Sequence, residues 1–315
     1  MKQKTFVLIA TLFVTLVCAA QAQAQSLRTF VAVAGSDAND CTFPTPCRTF
    51  AGAVPNTAPG GEITALDSGA YGVVTIDKAL TLQAAPGAHV ALGDGTANGA
   101  VTINAGATDV IVLRSLYISR TGRMLRGIEV NSAGVLHVEG CVVTGFAAGD
   151  GYGGSGIRAA GACTGSGACL HLFIKDTILR QNDYGITLEA ATAVIDRSWI
   201  ENNTTGLIAI NFGGATVRDS VVAGNSDTGV LAASVSIGLE DCLVTRNGTG
   251  IYSAGVPGLL GVVRVSNTMI VGNVTGLKTN FVGFGPMYAE IISFGNNRLA
   301  ANTTNGAFTS TIPQQ

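Results

Sequence analysis

The sequence predicts an all-β, single-domain solenoid, a parallel β-helix with a short N-terminal capping helix. The main observation is a repeat of about 22 residues between Ile174 and Gly276. No segment keeps the 3.6-residue apolar period of a long amphipathic helix. Glycine accounts for 42 of 315 residues and only 12% of residues are charged, as expected for a narrow cylinder filled by small apolar side chains. The repeat is marked by asparagines spaced 21, 22, 22 and 26 residues apart, at Asn182, Asn203, Asn225, Asn247 and Asn273.

Each repeat has the same internal order. A small residue is preceded three places earlier by an aliphatic one and followed by two apolar residues, the asparagine, a glycine and another aliphatic residue. At about 3.3 Å per residue, 22 residues form one coil of three short strands and three turns. Stacked asparagine amides can then hydrogen-bond along the axis. The glycine is expected at a turn with positive φ. The small residues that define the reference position are Thr177, Ser198, Ser220, Cys242 and Thr268.

Residues 1–24 have the features of a signal peptide. Lys2 and Lys4 precede an apolar stretch over 6–17, and Ala22-Gln23-Ala24 is a small-x-small cleavage site. The apolar run is too short to span a bilayer comfortably, which favours cleavage after Ala24. A lipoprotein site at Cys18 is the weaker alternative, because Val17 occupies a position that prefers a small residue. We therefore expect a secreted, periplasmic or cell-surface protein whose mature chain is not inserted into a membrane.

The mature chain divides into three regions. Residues 25–60 are predicted to form an N-terminal cap with a strand at 29–33 and a short helix at 46–54. Residues 61–300 form the parallel β-helix, and residues 301–315 form a polar C-terminal tail. Two insertions, at 119–126 and 145–170, are predicted to be loops. Because insertions in a solenoid often fall on one face, they are expected to border a binding surface.

The repeat D-S-x-[IV]-x-x-N-x-x-G-[IV] resembles the right-handed parallel β-helix repeats of the pectin-lyase-like superfold, of the secreted bacterial type. The string F-V-A-V-A-G-S-D-A-N-D, at residues 30–40, is similar to the entry segment of many secreted β-helix proteins. The resemblance covers roughly residues 60–300 and implies the handedness. It does not indicate one activity, since that superfold includes lyases, hydrolases, epimerases, tailspikes and adhesins.

Six cysteines remain after residue 24. Cys41 with Cys47, and Cys163 with Cys169, are close enough in sequence to form two small disulfides, as an exported protein permits. Cys141 and Cys242 both occupy the reference position, four coils apart. Four coils are about 19 Å, too far for a disulfide, so both are expected to be buried free thiols. No histidine has zinc-ligand spacing to these cysteines.

Charged residues recur just before the reference position. We interpret them as a structural ladder of alternating sign, formed by Glu139, Lys175, Asp196, Arg218 and Glu240. The functional alternative is a pair of like charges at Asp219 and Asp241, with Arg197 on the preceding coil, for glycoside hydrolysis or calcium binding. These residues are weak catalytic candidates because they belong to the repeat itself. The calcium-binding Asp clusters of the superfold's lyases, and the N-T-D, D-D and G-H-G strings of its polygalacturonases, are absent.

Other motifs indicate little chemistry. Residues 151–156 match G-x-G-x-x-G, but without the strand–helix context of a dinucleotide site. Tyr152 in the same loop is a candidate contact for sugar or protein. The histidines, His89, His137 and His171, lie at non-equivalent positions and do not suggest a metal site. A net charge of −2 gives no basic field for nucleic acid.

The sequence favours a non-catalytic protein that binds glycan or a surface protein and needs no cofactor. The alternative is a polysaccharide lyase or glycoside hydrolase, in which case calcium could be involved. An enzyme would need Asp, Arg or Lys from at least three coils to converge, off the repeat column and beside the insertions. A binding protein would need exposed aromatic side chains on a flat face.

Overall fold

The computed structural model describes residues 25–95, 99–122, 124–147, 153–161, 170–256, 258–281 and 289–313. The chain winds through three parallel sheets in turn, which we name A, B and C. In the described part of the chain these sheets have twelve, ten and nine strands. All named strand pairs are parallel, so each strand lies beside its counterpart one coil away. The prediction of an all-β single-domain parallel β-helix is confirmed.

The strands are numbered in chain order. Sheet A contains β1 Ser26–Val31, β2 Thr57–Ala65, β5 Leu80–Ala84, β8 Val110–Arg114, β11 Val135–Glu139, β14 Leu170–Lys175, β17 Ala191–Asp196, β20 Gly214–Arg218, β23 Ser236–Glu240, β26 Gly261–Ser266, β29 Ala289–Ser293 and β31 Ser310–Thr311. Sheet B contains β3 Gly69–Ala70, β6 Val90–Gly95, β9 Tyr117–Gly122, β12 Val142–Thr144, β15 Ile178–Arg180, β18 Trp199–Glu201, β21 Val221–Ala223, β24 Leu243–Thr245, β27 Met269–Val271 and β30 Arg298–Ala300. Sheet C contains β4 Val74–Ile76, β7 Gly99–Asn104, β10 Arg126–Ser132, β13 Ser155–Ala160, β16 Tyr184–Glu189, β19 Thr205–Ile210, β22 Thr228–Ala233, β25 Thr249–Gly255 and β28 Thr275–Phe281.

The core is a continuous column of aliphatic side chains inside the cylinder. Strands of sheet A alternate between buried and more exposed residues, as in β14 and β17. Ile174, Ile195 and Val217 therefore stack inward on successive coils, in register. In sheet B, the three-residue strands β15 and β18 each contribute one inward residue, Leu179 and Ile200. The period-two pattern of each strand thus separates an apolar interior from the side chains on the outer face of the sheet.

The asparagines lie in a single buried file between sheets B and C. In each, Nδ2 donates to Oδ1 of the asparagine one coil further on, over 2.8–3.1 Å from Asn182 to Asn273. The same oxygen accepts the backbone N–H of the preceding asparagine. Asn302 continues the file at 2.9 Å, so the hydrogen-bonded column extends into the segment expected to be a tail. The file joins six coils through side chains that are otherwise costly to bury.

The reference position forms a second buried file. Its hydroxyls accept from the backbone N–H of the preceding coil and donate to the carbonyl two residues earlier, as Ser198 does with Thr177 and Asp196. Cys141 and Cys242 occupy this file as buried free thiols and donate to carbonyls in the same way. Burial raises the pKa of each thiol to about 11. A thiol thus takes the place of a hydroxyl in the turn.

The glycine of each repeat does not have the role that we expected. Gly185, Gly206 and their equivalents lie within strands of sheet C, and none has a positive φ. A Cβ at Gly206 would lie 2.5 Å from the carbonyl oxygen of Gly229 on the next coil. Glycine is therefore required by close approach of the backbones. Positive φ falls instead on the residue before each asparagine, including non-glycine residues such as Gln181 and Asn202.

Much of the two predicted loops is strand. Residues 119–122 belong to β9, Arg126 begins β10, and the segment 145–170 contains β13. The Gly-Ile pairs at 127–128 and 156–157 occupy the positions of the Gly-Ile pair at 185–186 in the sheet C register. The prediction was wrong because the altered spacing around these pairs concealed the repeat. Residues 148–152 and 162–169, which include Tyr152, Cys163 and Cys169, lie outside the described residues.

The N-terminal cap combines β1 with a shorter helix than predicted. The α-helix α1 spans Phe50–Ala53 and is followed by a 3₁₀ turn at Val54–Asn56. The helix begins at Phe50 rather than at Pro46 because the backbone of Cys47 is bonded to the end of β1. Cys47 N–H donates to Phe30 O over 3.0 Å, and Ala32 N–H donates to Cys47 O over 2.9 Å. Thr49 then caps the helix by accepting from Gly52 N–H over 2.9 Å. Phe50 packs at 5.6 Å from the ring of buried Tyr71, and a disulfide joins Cys41 to Cys47.

The C-terminal segment adds one more strand to sheet A. β31 follows Asn305, the last asparagine that is hydrogen-bonded to the file, and pairs with β29. The predicted signal peptide, residues 1–24, lies outside the described residues. Within the described ranges no helix has the length and hydropathy needed to cross a bilayer.

Candidate functional site

The weak catalytic candidates lie together on the turn between sheets A and B. Asp219 and Asp241 are exposed on neighbouring coils and border a shallow depression of about 400 Å³. Asn267 on the following coil donates to Asp241. Arg197 is bound by Asp176 at 3.0 and 3.1 Å, and this hydrogen bond raises its pKa. Over the described residues no group of three or more His, Cys, Asp or Glu could hold a metal ion.

The predicted charge ladder is present in register but only partly as ion pairs. Glu139, Lys175, Asp196, Arg218 and Glu240 lie opposite one another on successive strands of sheet A. Arg218 Nη2 lies 3.6 Å from Asp196 Oδ1, and Glu139 is paired with Arg114, one coil earlier, at 2.8 Å. Both arginines are about half exposed, so each pair adds only about 0–1 kcal/mol to stability. They do not form a site.

A groove lies on the outer face of sheet A, with a volume of about 440 Å³. Two outward columns form its floor. The side chains on the middle coils are small because the columns pass through Thr192, Gly214, Thr216 and Gly238. Larger residues stand at the two ends, so the depression follows from side-chain size along each column. We call this surface the sheet A groove; its outward residues are His171, Phe173, Thr192, Val194, Gly214, Thr216, Ser236, Gly238 and Arg264.

The two ends of the sheet A groove differ in chemistry. At one end, the half-exposed ring of Phe173 stacks on His137 with centroids 5.0 Å apart and an interplanar angle of 15°. His171 Nδ1 lies 2.7 Å from Thr192 Oγ1 beside it. At the other end, exposed Arg264 donates from Nη1 to Ser236 Oγ over 2.6 Å. The two ends lie on β14 and β26, which are four strand spacings apart in sheet A, or about 19 Å.

A second group of polar side chains lies on the outer face of sheet C. Arg158 donates to both oxygens of Glu189 over 3.0 and 2.9 Å, and to Glu129 Oε1 over 2.6 Å. Arg126 Nε lies 3.4 Å from Glu129 Oε2, and its Nη1 donates to Gly153 O over 2.6 Å. We call Arg126, Glu129, Arg158 and Glu189 the sheet C charge cluster. The four residues come from three coils, on strands β10, β13 and β16.

Burial and mutual pairing shape the electrostatics of the sheet C charge cluster. Glu129 is only 8% exposed, and its Oε2 has no hydrogen-bond partner. Burial lowers the pKa of Arg126, and the charge of Arg158 acts in the same direction against the attraction of Glu129. Burial also lowers the pKa of Arg158, but hydrogen bonds and charges from Glu189 and Glu129 outweigh it and raise that pKa. The carboxylates of Glu129 and Glu189 both accept hydrogen bonds from the guanidinium of Arg158.

Neither surface was predicted from the sequence, because the charged residues that were considered lie just before the reference position of the repeat. The glycine register could have revealed the cluster, since Glu129 and Arg158 each follow a Gly-Ile pair and lie opposite one another. The sheet A groove could have been found by listing outward residues of successive strands and noting where they become small.

Residues 126–298 match the family model described as "Right handed beta helix region". This match covers more than half of the chain. The chain belongs to the right-handed β-helix family. The handedness and the pectin-lyase-like fold expected from the repeat are thereby confirmed.

Three solved structures have a fold similar to that of this chain. Alginate lyase from Paenibacillus sp. str. FPU-7 has a TM-score of 0.64 and 12% identity, covering 91% of this chain and 100% of that chain. The complex of XylC with xylose has a TM-score of 0.55 and 9% identity, covering 91% and 67%. Pectate lyase Pel9A has a TM-score of 0.53 and 15% identity, covering 91% and 80%. No curated protein matches the sequence.

Proposed function

We propose that this right-handed β-helix protein binds an extended glycan in the sheet A groove. The observation that supports the proposal is the groove itself: an aromatic platform and an arginine stand at opposite ends of a floor of small side chains. Aromatic rings pack on the apolar faces of sugar rings, and arginine binds hydroxyl or carboxylate oxygens. The length of about 19 Å matches a short stretch of polysaccharide better than one small molecule.

Charge favours an acidic sugar near Arg264. This guanidinium is the permanent charge among the groove-lining residues that the structure describes, and it is exposed. A uronate at this end would form a charge-assisted hydrogen bond, which is about twice as strong as a neutral one. The described lining of the groove contains no carboxylate that would repel it.

Binding is proposed rather than catalysis because the acidic groups lie elsewhere. Asp219 and Asp241 belong to the turn between sheets A and B and do not line the groove. The sheet C charge cluster brings charged side chains of three coils together, but its arginines come from only two of them and both of its carboxylates are bound to Arg158. The alternative, a polysaccharide lyase or hydrolase, remains an outcome of the experiment below.

The experiment screens the mature protein against neutral and acidic polysaccharides, with and without calcium, and measures both binding and released product. Phe173→Ala is expected to weaken binding about tenfold, or about 1.4 kcal/mol, as for an aromatic anchor. Trp199→Ala is the matched control, because this half-exposed aromatic lies on sheet B and should leave binding unchanged. Arg264→Gln should weaken acidic polysaccharides more than neutral ones. Equal effects of Phe173→Ala and Trp199→Ala would refute the sheet A groove as the site, and product release would establish the enzyme alternative.

We infer that the protein acts outside the cytoplasm. Residues 1–24 have the pattern of a signal peptide, and the Cys41–Cys47 disulfide is of a kind that persists in oxidising compartments. N-terminal sequencing of the protein from culture supernatant and periplasm tests this inference. A mature N-terminus at Gln25 in either fraction supports export, and an intact Met1 in the cytoplasm contradicts it.

A further inference from the structure

A second concave site lies on the outer face of sheet C, away from the sheet A groove. It is a pocket of about 190 Å³, small beside the roughly 300 Å³ at which pockets for drug-sized ligands begin. Its size therefore suits a single ring rather than a chain. We call it the sheet C pocket; the side chains that matter for its chemistry are Arg126, Arg158, Tyr184, Glu189, Ile208 and Ile210.

The polar wall of the sheet C pocket is held rigidly. Arg158 is fixed by three hydrogen bonds to Glu189 and Glu129, each of 3.0 Å or less. Glu129 does not line the pocket but lies behind the two arginines, buried against both. Arg126 is further held by the carbonyl oxygens of Leu125 and Gly153. Groups fixed in this way need little ordering when a ligand binds.

Stability alone does not account for this charge cluster. Partly buried ion pairs contribute little net stability, because desolvation offsets their attraction. The equivalent outward positions on other coils show that the fold does not need charge there: Glu129 and Arg158 are aligned with Thr102, Thr187, Ile208 and Leu231. In a chain with only 12% charged residues, four are gathered over three adjacent coils. Their concentration around a cavity indicates a binding role.

The charges of the cluster balance. Two arginines face two glutamates, so the wall offers donors and acceptors without net charge. Asp183, whose charge also acts on Arg126, is not among the residues that line the pocket. An anionic ligand would meet the Glu189 carboxylate, and a cationic one would meet two guanidinium groups. The balance favours a neutral ligand that has several hydroxyl groups.

The other wall of the sheet C pocket is apolar. Ile208 and Ile210 project from β19. Ile210 is aligned with Glu189 on the preceding coil, and Ile208 is aligned with Arg158 two coils earlier. The half-buried ring of Tyr184 lies on the first outward column of β16. A sugar ring has this combination of an apolar C–H face and a rim of hydroxyls. We propose that the sheet C pocket binds one neutral sugar ring, with Tyr184 and the isoleucines against its face and Arg126 and Glu189 at its hydroxyls.

This proposal does not depend on the sheet A groove, because the two sites lie on different sheets. Saturation-transfer NMR on the mature protein tests it with methyl glucoside, methyl galactoside, methyl mannoside and methyl xyloside. Glucuronate and galacturonate serve as acidic counterparts. All measurements use the Phe173→Ala background, in which ligand contact in the sheet A groove is weakened. We expect at least one neutral glycoside to bind with a Kd on the order of 1 mM, typical for so few atoms. Glucuronate and galacturonate should both bind at least about tenfold more weakly than that glycoside.

Two variants locate the binding. Ile208→Trp fills the pocket with a larger side chain at a half-exposed position and should abolish the signal. Tyr252→Trp is its control, because Tyr252 lies two coils further along the same outward column. Glu189→Gln keeps the shape and should weaken the neutral glycoside about tenfold or more, since it removes a charged acceptor. The proposal is overturned if no neutral glycoside binds, if Ile208→Trp leaves binding intact, or if the uronates bind as tightly. Polysaccharide binding by the wild type and Phe173→Ala tests the sheet A groove separately.

Discussion

The asparagine file makes a quantitative prediction for Asn225→Ala. Asn225 is fully buried. Its Nδ2 donates to Ile200 O and to Asn247 Oδ1, over 3.2 and 2.8 Å. Its Oδ1 accepts from the backbone N–H and from Nδ2 of Asn203, both over 3.1 Å. Alanine removes all four hydrogen bonds and leaves the backbone N–H of Asn203 buried with no acceptor.

The expected loss follows from these contacts. A hydrogen bond contributes about 1 kcal/mol net, and a buried group left unsatisfied costs about 1–3 kcal/mol. Removing four bonds at a site closed to water should therefore lower the free energy of unfolding by about 3–5 kcal/mol. This would be a large part of the 5–15 kcal/mol typical of a folded domain.

Asn302→Ala is the matched control. Asn302 also makes four side-chain hydrogen bonds, with Asn273, Ile270 and Asn305, all of 2.9–3.0 Å. It is only half-buried, so water can replace the lost partners and we expect a loss of about 1 kcal/mol. Urea denaturation followed by circular dichroism measures both, with the midpoint compared at unchanged slope. Similar losses for the two variants, or a loss below about 1 kcal/mol for Asn225→Ala, would refute the argument that burial makes the file stabilising.

Two further predictions concern the backbone approach and the buried thiols. Gly206→Ala should destabilise the protein by about 1–3 kcal/mol, because the new Cβ would lie 2.5 Å from the carbonyl oxygen of Gly229. In contrast, Gly238→Ala should be nearly neutral, since its nearest atom is 4.0 Å away; thermal melts of the pair decide this, and equal melting temperatures would contradict it. Burial raises the pKa of Cys141 and Cys242 from 9.0 to about 11, so between these pH values the unfolded chain loses protons that the folded chain keeps. Stability should therefore fall as pH rises from 9 to 11, by about 1.4 kcal/mol per unit for each thiol. Replacing both cysteines by serine should reduce this loss in alkaline urea titrations, and an unchanged slope would show that the thiols do not contribute.

The fold was predictable because the repeat controls both covalent spacing and hydrogen bonding. The asparagines at 203, 225 and 247 could be aligned by eye, and the structure places them in one file. The role of the repeat glycine was not predictable in the same way. A sequence does not show whether a glycine is required by a positive φ or by the close approach of a neighbouring backbone. In the folded chain, Gly206 faces the carbonyl oxygen of Gly229 on the next coil.

The candidate sites were harder to predict than the fold for a physical reason. The sheet C charge cluster depends on side chains from coils that are separated by variable insertions, so residue spacing does not reveal their register. The sheet A groove lies on regularly spaced coils and was missed because the outward residues of successive strands were not compared. Arg158 lies 29 residues from Glu129 and 31 from Glu189, whereas the asparagines of regular coils are 21 or 22 apart. The strand β13 was hidden in a segment that we interpreted as a loop. A systematic alignment on the Gly-Ile pairs would have recovered the register.

The asparagine file also allows the length of the molecule to change by one coil at a time. Asn203 and Asn225 are 22 residues apart and have equivalent partners above and below. If residues 204–225 were deleted, Asn203 would take the place of Asn225. Its Nδ2 would donate to Asn247 Oδ1, so the asparagine file would continue with the same type of hydrogen bond. The platform at Phe173 and the guanidinium at Arg264 would then move closer by about 4.8 Å, the spacing of one strand. Gain or loss of one coil would thus change the distance between the two ends of the sheet A groove, while Phe173 and Arg264 themselves stay the same.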